Sequence, residues 1–106
     1  MKRVKWGKRK VYAIDLDGVL CEYEDGWDDV SIINKKPILE NIKKVERLFN
    51  ERNIIVIYTS RGEELRASTE AWMKKHGIKY HFLVMNKLFF DYYVDEKDKF
   101  VSIDEL

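Results

Sequence analysis

Between Ile54 and Tyr58 the chain reads Ile-Ile-Val-Ile-Tyr, a run of strong strand formers with no polar residue among them. A strand with one wet face would alternate, so this run predicts a strand buried on both faces. The flanking segments supply what can bury it. Upstream, Ile38, Leu39, Ile42, Val45, Leu48 and Phe49 recur three and four residues apart, the apolar face of a helix that Pro37 opens and Asn53 closes. Downstream, Leu65, Thr69, Trp72, Met73 and His76 mark the inner stripe of a second helix, with Gly77 placed to cap it. Val11–Ile14 and Tyr80–Val84 are further short apolar runs, and Asp91–Val94 reads as a short fourth strand. Strands and helices in alternation imply an α/β fold with right-handed crossovers. The expected architecture is a three-layer, Rossmann-like parallel sheet flanked by helices.

At 106 residues the chain suits one domain, spanning 1–106, and no linker, repeat or low-complexity tract divides it. The polar segment at about 21–36, with the Asp25-Gly26 turn signal and Trp27 at its tip, reads as a small flap or hairpin, a minimal cap at most. A formal net charge of +1 excludes a surface dominated by one sign. Lys2, Arg3, Lys5, Lys8, Arg9 and Lys10 make a basic end that reads as solvated chain ahead of the first strand. The single cysteine, Cys21, permits no internal disulfide and points to a reducing compartment. With no run long enough to span a membrane and no signal-peptide pattern, a cytoplasmic location without membrane contact is expected.

In an open α/β sheet, ligands bind beyond the carboxyl ends of the strands, and that is where the reactive side chains of this sequence collect. Asp15 and Asp17 follow the first strand, and residues two apart on a strand share a face. Gly18 then permits a tight turn. Two carboxylates aimed at one place repel unless a cation or shared proton intervenes, which suggests a hard divalent ion, Mg²⁺, and phosphate chemistry. Thr59 and Ser60 follow the second strand, Lys87 the third, and Asp95 and Glu96 the fourth.

This order resembles the haloacid dehalogenase-like superfamily of phosphohydrolases: Ile14-Asp15-Leu16-Asp17-Gly18, then Val56-Ile57-Tyr58-Thr59, then Lys87, then Tyr93-Val94-Asp95-Glu96. More narrowly, Lys36-Pro37-Ile38, Ile57–Gly62 and His76–His81 are similar to the small capsule-biosynthesis phosphatases that lack a large cap. The chain departs from that group in Leu88, where a proline usually follows the lysine, and in Glu96, where a second aspartate is usual. It also stops soon afterwards, leaving a fifth strand short or absent.

The resemblance implies an enzyme, a Mg²⁺-dependent phosphoric monoester hydrolase working through an aspartyl-phosphate, and the chemistry of the residues agrees. Asp15 is the expected nucleophile, since a carboxylate needs no deprotonation. Asp17 is the expected general acid and then base, which calls for surroundings less ion-stabilising than those of Asp15. Mg²⁺ falls to Asp15, Asp17 (through its backbone carbonyl) and Asp95. Glu96 stands one step further out, and Asp98 is the weaker candidate for that place. Thr59, Ser60 (at a helix amino terminus) and Lys87 are the expected phosphate-binding groups.

His76 and His81 read as structural rather than as a metal pair, and Cys21 as a packed thiol. Arg61 stands to touch substrate or to pair with flap acids such as Glu24. The expected partner is a small phosphorylated molecule: a sugar phosphate, a nucleotide or another small ester. A nucleic-acid end is an open but less favoured alternative, since the acidic flap disfavours a polyanion near the site while the basic amino terminus favours one at a distance. A neighbouring copy of the chain is the alternative cover for an open site. The competing function is a non-hydrolytic phosphoacceptor of the response-regulator type, or an inert phosphate-binding regulatory domain. The placement of both acids on one strand argues against the receiver.

Overall fold

Three parallel strands carry the fold of the computed structural model, which describes residues 9–23, 26–94, 96 and 101–106. They are β1 (Val11–Ile14), β2 (Ile54–Tyr58) and β3 (Phe82–Val84), in the order β1-β2-β3. Val11 pairs with Ile54 and Ile14 with Ile57, while Val56 pairs with Phe82 and Tyr58 with Val84. β2 is thus central, and Ile54, Ile55 and Ile57 are buried, in keeping with its unbroken apolar run. β1 is buried only at its end: Ile14 is enclosed but Val11 is 52% exposed.

Helices flank this sheet. α1 (Asp29–Ile33) is a single short helix, α2 spans Leu39–Asn50, and α3 spans Arg66–Lys75 behind a 3₁₀ turn at Glu63–Leu65. The inner face of α2 is Ile42, Val45 and Leu48, joined by Asn41, whose amide donates to the Val19 carbonyl at 2.7 Å. Leu39 is exposed, because it opens the helix before the chain has reached the core. Asn53 closes α2 from beyond its end, since its side-chain amide donates to the Leu48 carbonyl at 3.0 Å. α3 buries Ser68, Thr69, Trp72 and Met73 and ends at Gly77, whose φ of +66° suits a residue without a Cβ.

The segment at 21–36 differs from a plain flap or hairpin. Its two ends pair antiparallel, Glu22 N–H to Lys36 O at 2.9 Å and Ile38 N–H to Leu20 O at 2.9 Å. Its body carries α1, which Asp28 caps by accepting from the Ser31 N–H at 2.8 Å. Ile32 and Cys21 are fully buried, and the Trp72 indole N–H donates to the Lys35 carbonyl at 2.8 Å. The segment is therefore anchored to the core by Cys21, Ile32 and Lys35, while most of its other described residues are exposed.

Two strand expectations are corrected. The third strand begins at Phe82 rather than Tyr80, because the His81 ring intrudes on the ladder: its Nδ1 accepts from the Ile55 N–H at 3.0 Å. No strand forms over residues 91–94, where Tyr92 is 89% and Val94 is 93% exposed. Without a buried face or a ladder partner, an apolar composition cannot hold an extended segment in a sheet.

His76, at the end of α3, packs its ring against Trp72 with centroids 4.6 Å apart. Its Nε2 is buried without a hydrogen-bond partner among the described residues. Burial, reinforced by Lys75, pushes its pKa below the usual histidine value. The unfolded chain then binds the proton more readily than the folded one, so stability falls as pH drops through about 6.5 and below. Denaturant midpoints measured from about pH 7.5 to 5.5 should decline, and His76→Gln should flatten that decline. An unchanged slope in the variant would exclude His76 as its source.

Candidate active site

Beyond the carboxyl end of β1 the backbone turns back on the Leu16 carbonyl, which accepts from Leu20 N–H at 2.8 Å and Cys21 N–H at 3.2 Å. Gly18, at φ +83°, makes that reversal with a backbone conformation that other residues reach only with strain. Alternation persists through the turn. Leu16 points into the core, fully buried, while Asp15 and Asp17 on either side of it line one recess. The recess is open to solvent and is completed by Tyr23, Trp27, Ser60, Lys87 and Phe89.

The two carboxylates sit in different surroundings. Asp15 has a side chain 42% exposed, with Lys87 Nζ 3.4 Å from its Oδ2 and the Leu16 N–H donating to its Oδ1 at 2.7 Å. Asp17 is 7% exposed and gripped by a fully buried guanidinium: Arg61 Nε donates to Oδ2 at 3.0 Å and Nη2 to Oδ1 at 2.8 Å. The bidentate geometry makes this a strong, directional pair. The expectation that Asp17 has the less ion-stabilising place is therefore reversed. Arg61 turns neither to the flap nor into the recess; Asp17 holds it.

The remaining Arg61 donors are also used. Nη1 donates to Thr69 Oγ1 of α3 at 2.9 Å, and the Arg61 N–H to Thr59 Oγ1 at 3.2 Å. Thr69 was the one signal in the sequence, a polar residue on the inner stripe of a helix, yet nothing in the spacing named its partner. Cys21 fills the same corner, its Sγ 3.4 Å from Asp17 Oδ1. Burial, and then the Asp17 carboxylate, push its thiol up to about 12, so it stays protonated and inert as a nucleophile.

Of the other expected residues, Ser60 lines the recess but stands before the Gly62 cap of the 3₁₀ turn, so no helix amino terminus lies at its amide. Thr59 is fully buried and is not part of the recess wall. Lys87 is brought in by its backbone, whose N–H donates to the Thr59 carbonyl at 2.9 Å. Glu96 does not line the recess, and Asp95, Asp98 and Glu24 lie outside the described residues.

His81 stacks on Phe49, with centroids 4.6 Å apart, and is structural. No cluster of three or more His, Cys, Asp or Glu with metal-binding potential occurs among the described residues. The recess does offer a hard oxygen donor of the kind Mg²⁺ prefers, in the half-exposed Asp15 carboxylate. Among the described residues no helix is long and apolar enough to cross a membrane.

No protein-family model and no curated protein matches the chain. Solved structures do share its fold. A protein from Vibrio cholerae matches with a TM-score of 0.66 and 21% identity, over 81% of this chain and 79% of that one. A chain of the Pnkp1/Rnl/Hen1 complex matches with a TM-score of 0.67 and 21% identity, over 82% of this chain but 30% of that one. At this identity the likeness establishes a small α/β fold with a parallel sheet.

Removing the guanidinium strands a carboxylate that is almost wholly enclosed. Arg61→Ala is expected to cost about 3–5 kcal/mol of unfolding free energy, read from denaturant titration. Arg61→Lys, which keeps the charge but not the fork, should recover only part of it. A loss below about 1 kcal/mol in the alanine variant would show that the pair does not hold the turn after β1 in place.

Proposed function

We propose that the recess is the catalytic centre of a Mg²⁺-dependent phosphomonoesterase of the haloacid dehalogenase-like type, with a Rossmann-like core and no large cap. The observation that carries this reading is the convergence on one recess of Asp15 and Asp17 from a single turn, with the Lys87 ammonium 3.4 Å from Asp15. One carboxylate is exposed enough to attack, one is fixed beside it, and a cation stands where negative charge must be tolerated.

In this mechanism an Asp15 oxygen attacks the phosphorus of the ester, forming an aspartyl-phosphate as the phosphorus–alkoxide bond breaks. Asp17 gives its proton to the departing alkoxide, then takes one from the water that attacks the phosphorus. The Asp15–phosphorus bond breaks in that second displacement, releasing inorganic phosphate and restoring the carboxylate. Asp17 Oδ1 accepts from both Arg61 and the Cys21 thiol, while Oδ2 accepts from Arg61 alone and keeps a lone pair for the proton, and the carboxylate's orientation is set before substrate arrives.

Lys87 screens Asp15 from the incoming anion and balances the charge spread over the transferring phosphoryl oxygens. Ser60 is the phosphate-binding group at the recess wall. Thr59 acts behind it, through the hydrogen bond its hydroxyl accepts from Arg61 N–H. Mg²⁺, when bound, supplies charge neutralisation between anionic nucleophile and anionic substrate. Asp15, the Asp17 carbonyl and Asp95 are the residues that would hold it, with Glu96 further out.

Phosphate release from small phosphomonoesters, with Mg²⁺ and with chelator, tests the reading. Asp15→Asn should lower turnover by at least about 10³-fold with the fold retained by circular dichroism. Near-normal turnover in that variant removes the nucleophile from the scheme. Phosphate that is bound or transferred to the protein but never released would favour the phosphoacceptor instead. Asp95→Asn should shift the Mg²⁺ titration to higher concentration, and a titration that does not move rejects Asp95 as a ligand.

A further inference from the structure

The rim of the recess is aromatic. Tyr23 and Trp27, which precede α1, and Phe89, just beyond Lys87, line it together with the two acids. None is there for the core: Tyr23 is 77%, Trp27 38% and Phe89 85% exposed, whereas Trp72 is fully enclosed with its indole N–H bonded. Large aromatic faces left wet around a charged recess have apolar area to gain from a flat partner. A polyol does not fit them well. Once Asp15, Asp17, Ser60 and Lys87 are assigned to the phosphate, the Tyr23 hydroxyl and Trp27 indole N–H are the side-chain polar groups left among the described lining residues to match sugar hydroxyls.

We infer that the organic half of the substrate carries a nucleobase, which stacks on the rim formed by Tyr23, Trp27 and Phe89 while the phosphate enters between Asp15 and Lys87. This rests on the phosphomonoesterase reading and narrows it, from any small ester to a phosphomonoester borne by a nucleotide. Every base has a stackable face, so the rim selects the presence of a base rather than its identity. The site is open, and the same chemistry is offered by a free mononucleotide and by the phosphorylated end of a single strand.

The test compares kcat/KM for ribose 5-phosphate, 5′- and 3′-mononucleotides, and short single-stranded oligonucleotides with a terminal phosphate. Base stacking typically contributes about 1–3 kcal/mol, or roughly 5- to 150-fold. The nucleotide-bearing esters should therefore exceed ribose 5-phosphate by about tenfold or more, and Trp27→Ala or Phe89→Ala should collapse that ratio towards one. A free nucleotide as the best substrate identifies one source, an oligonucleotide end the other, and both support the stacking rim. Equal kcat/KM with and without a base, or an unchanged ratio in both variants, overturns it.

Binding separates this inference from the reaction it assumes. In a Trp6→Phe background, Trp27 and the buried Trp72 are the remaining indoles. A 5′-mononucleotide should quench the fluorescence of Trp27, and ribose 5-phosphate should not. Quenching by the nucleotide without release of phosphate from any ester retains the rim and rejects the phosphatase. Release without base-dependent quenching or preference does the reverse.

Discussion

The Arg61–Asp17 pair ties three parts of the chain together at one point, beyond what the pairing of β1 with β2 provides. Arg61 leaves the end of β2, Asp17 sits in the turn after β1, and Thr69 belongs to α3, all tied by one guanidinium with no exposed surface. Taking such a pair out of water costs several kcal/mol per ion, and the cost is offset only where the geometry is good and the other donors are satisfied. Here the fork meets the carboxylate on both oxygens, and the third nitrogen has Thr69. The backbone of Arg61 extends the tie, because its carbonyl accepts from the Asn86 N–H at 2.8 Å. Asn86 adopts φ +61° there, and the next residue is Lys87. The orientation of one acid and the delivery of the lysine thus depend on the same buried residue.

That arrangement divides the two carboxylates more sharply than their spacing suggests. Asp15 is half open and meets the Lys87 ammonium at 3.4 Å, a contact that an incoming anion can share without leaving a charge stranded. Asp17 cannot move without breaking two charge-assisted hydrogen bonds. A nucleophile has to reach a phosphorus atom whose position the substrate sets. A proton carrier serves two successive displacements from one position, and a fixed orientation lowers the entropy it must lose at each. The difference in tethering suits the positions the two proposed roles require, whereas the charge pairing with Arg61 is the reverse of the less ion-stabilising place expected for a proton carrier, and it came from a partner that no local pattern announced.

What was legible in the sequence was whatever is enforced locally. Ile54–Tyr58 had to be a central strand because its composition left it no wet face, and the periodicity of Ile42, Val45 and Leu48 fixed the buried side of α2. The two acids share a face because strand alternation carries through Leu16. What was illegible needed a distant partner. α1 is five residues long with one buried side chain, too short for a period to show. His81 replaces a ladder carbonyl with its own ring, which residue type alone does not reveal. Asp91–Val94 has the composition of a strand but joins no β-ladder among the described residues, and composition cannot supply one. Arg61 finds a partner forty-four residues away.

The fate of the segment between Cys21 and Lys36 decides how such a site can choose what enters it. A cap selects by enclosing the substrate, and a segment can enclose something only if it is not itself part of the interior. Here Cys21, Ile32 and Lys35 are all buried, and α1 packs on α3 through a segment whose two ends are stitched by backbone hydrogen bonds. Those anchors hold the segment against the body of the fold, and what it presents at the recess is Tyr23 and Trp27. Selection then falls to the few side chains that stand at its edge, and these are aromatic from two separate stretches of chain, Tyr23 and Trp27 on one side and Phe89 on the other. An edge of that kind cannot count hydroxyls, but it can distinguish a ligand with a flat apolar face from one without. Anchoring the flap to the core at Cys21, Ile32 and Lys35 leaves recognition to the surface chemistry of the recess edge.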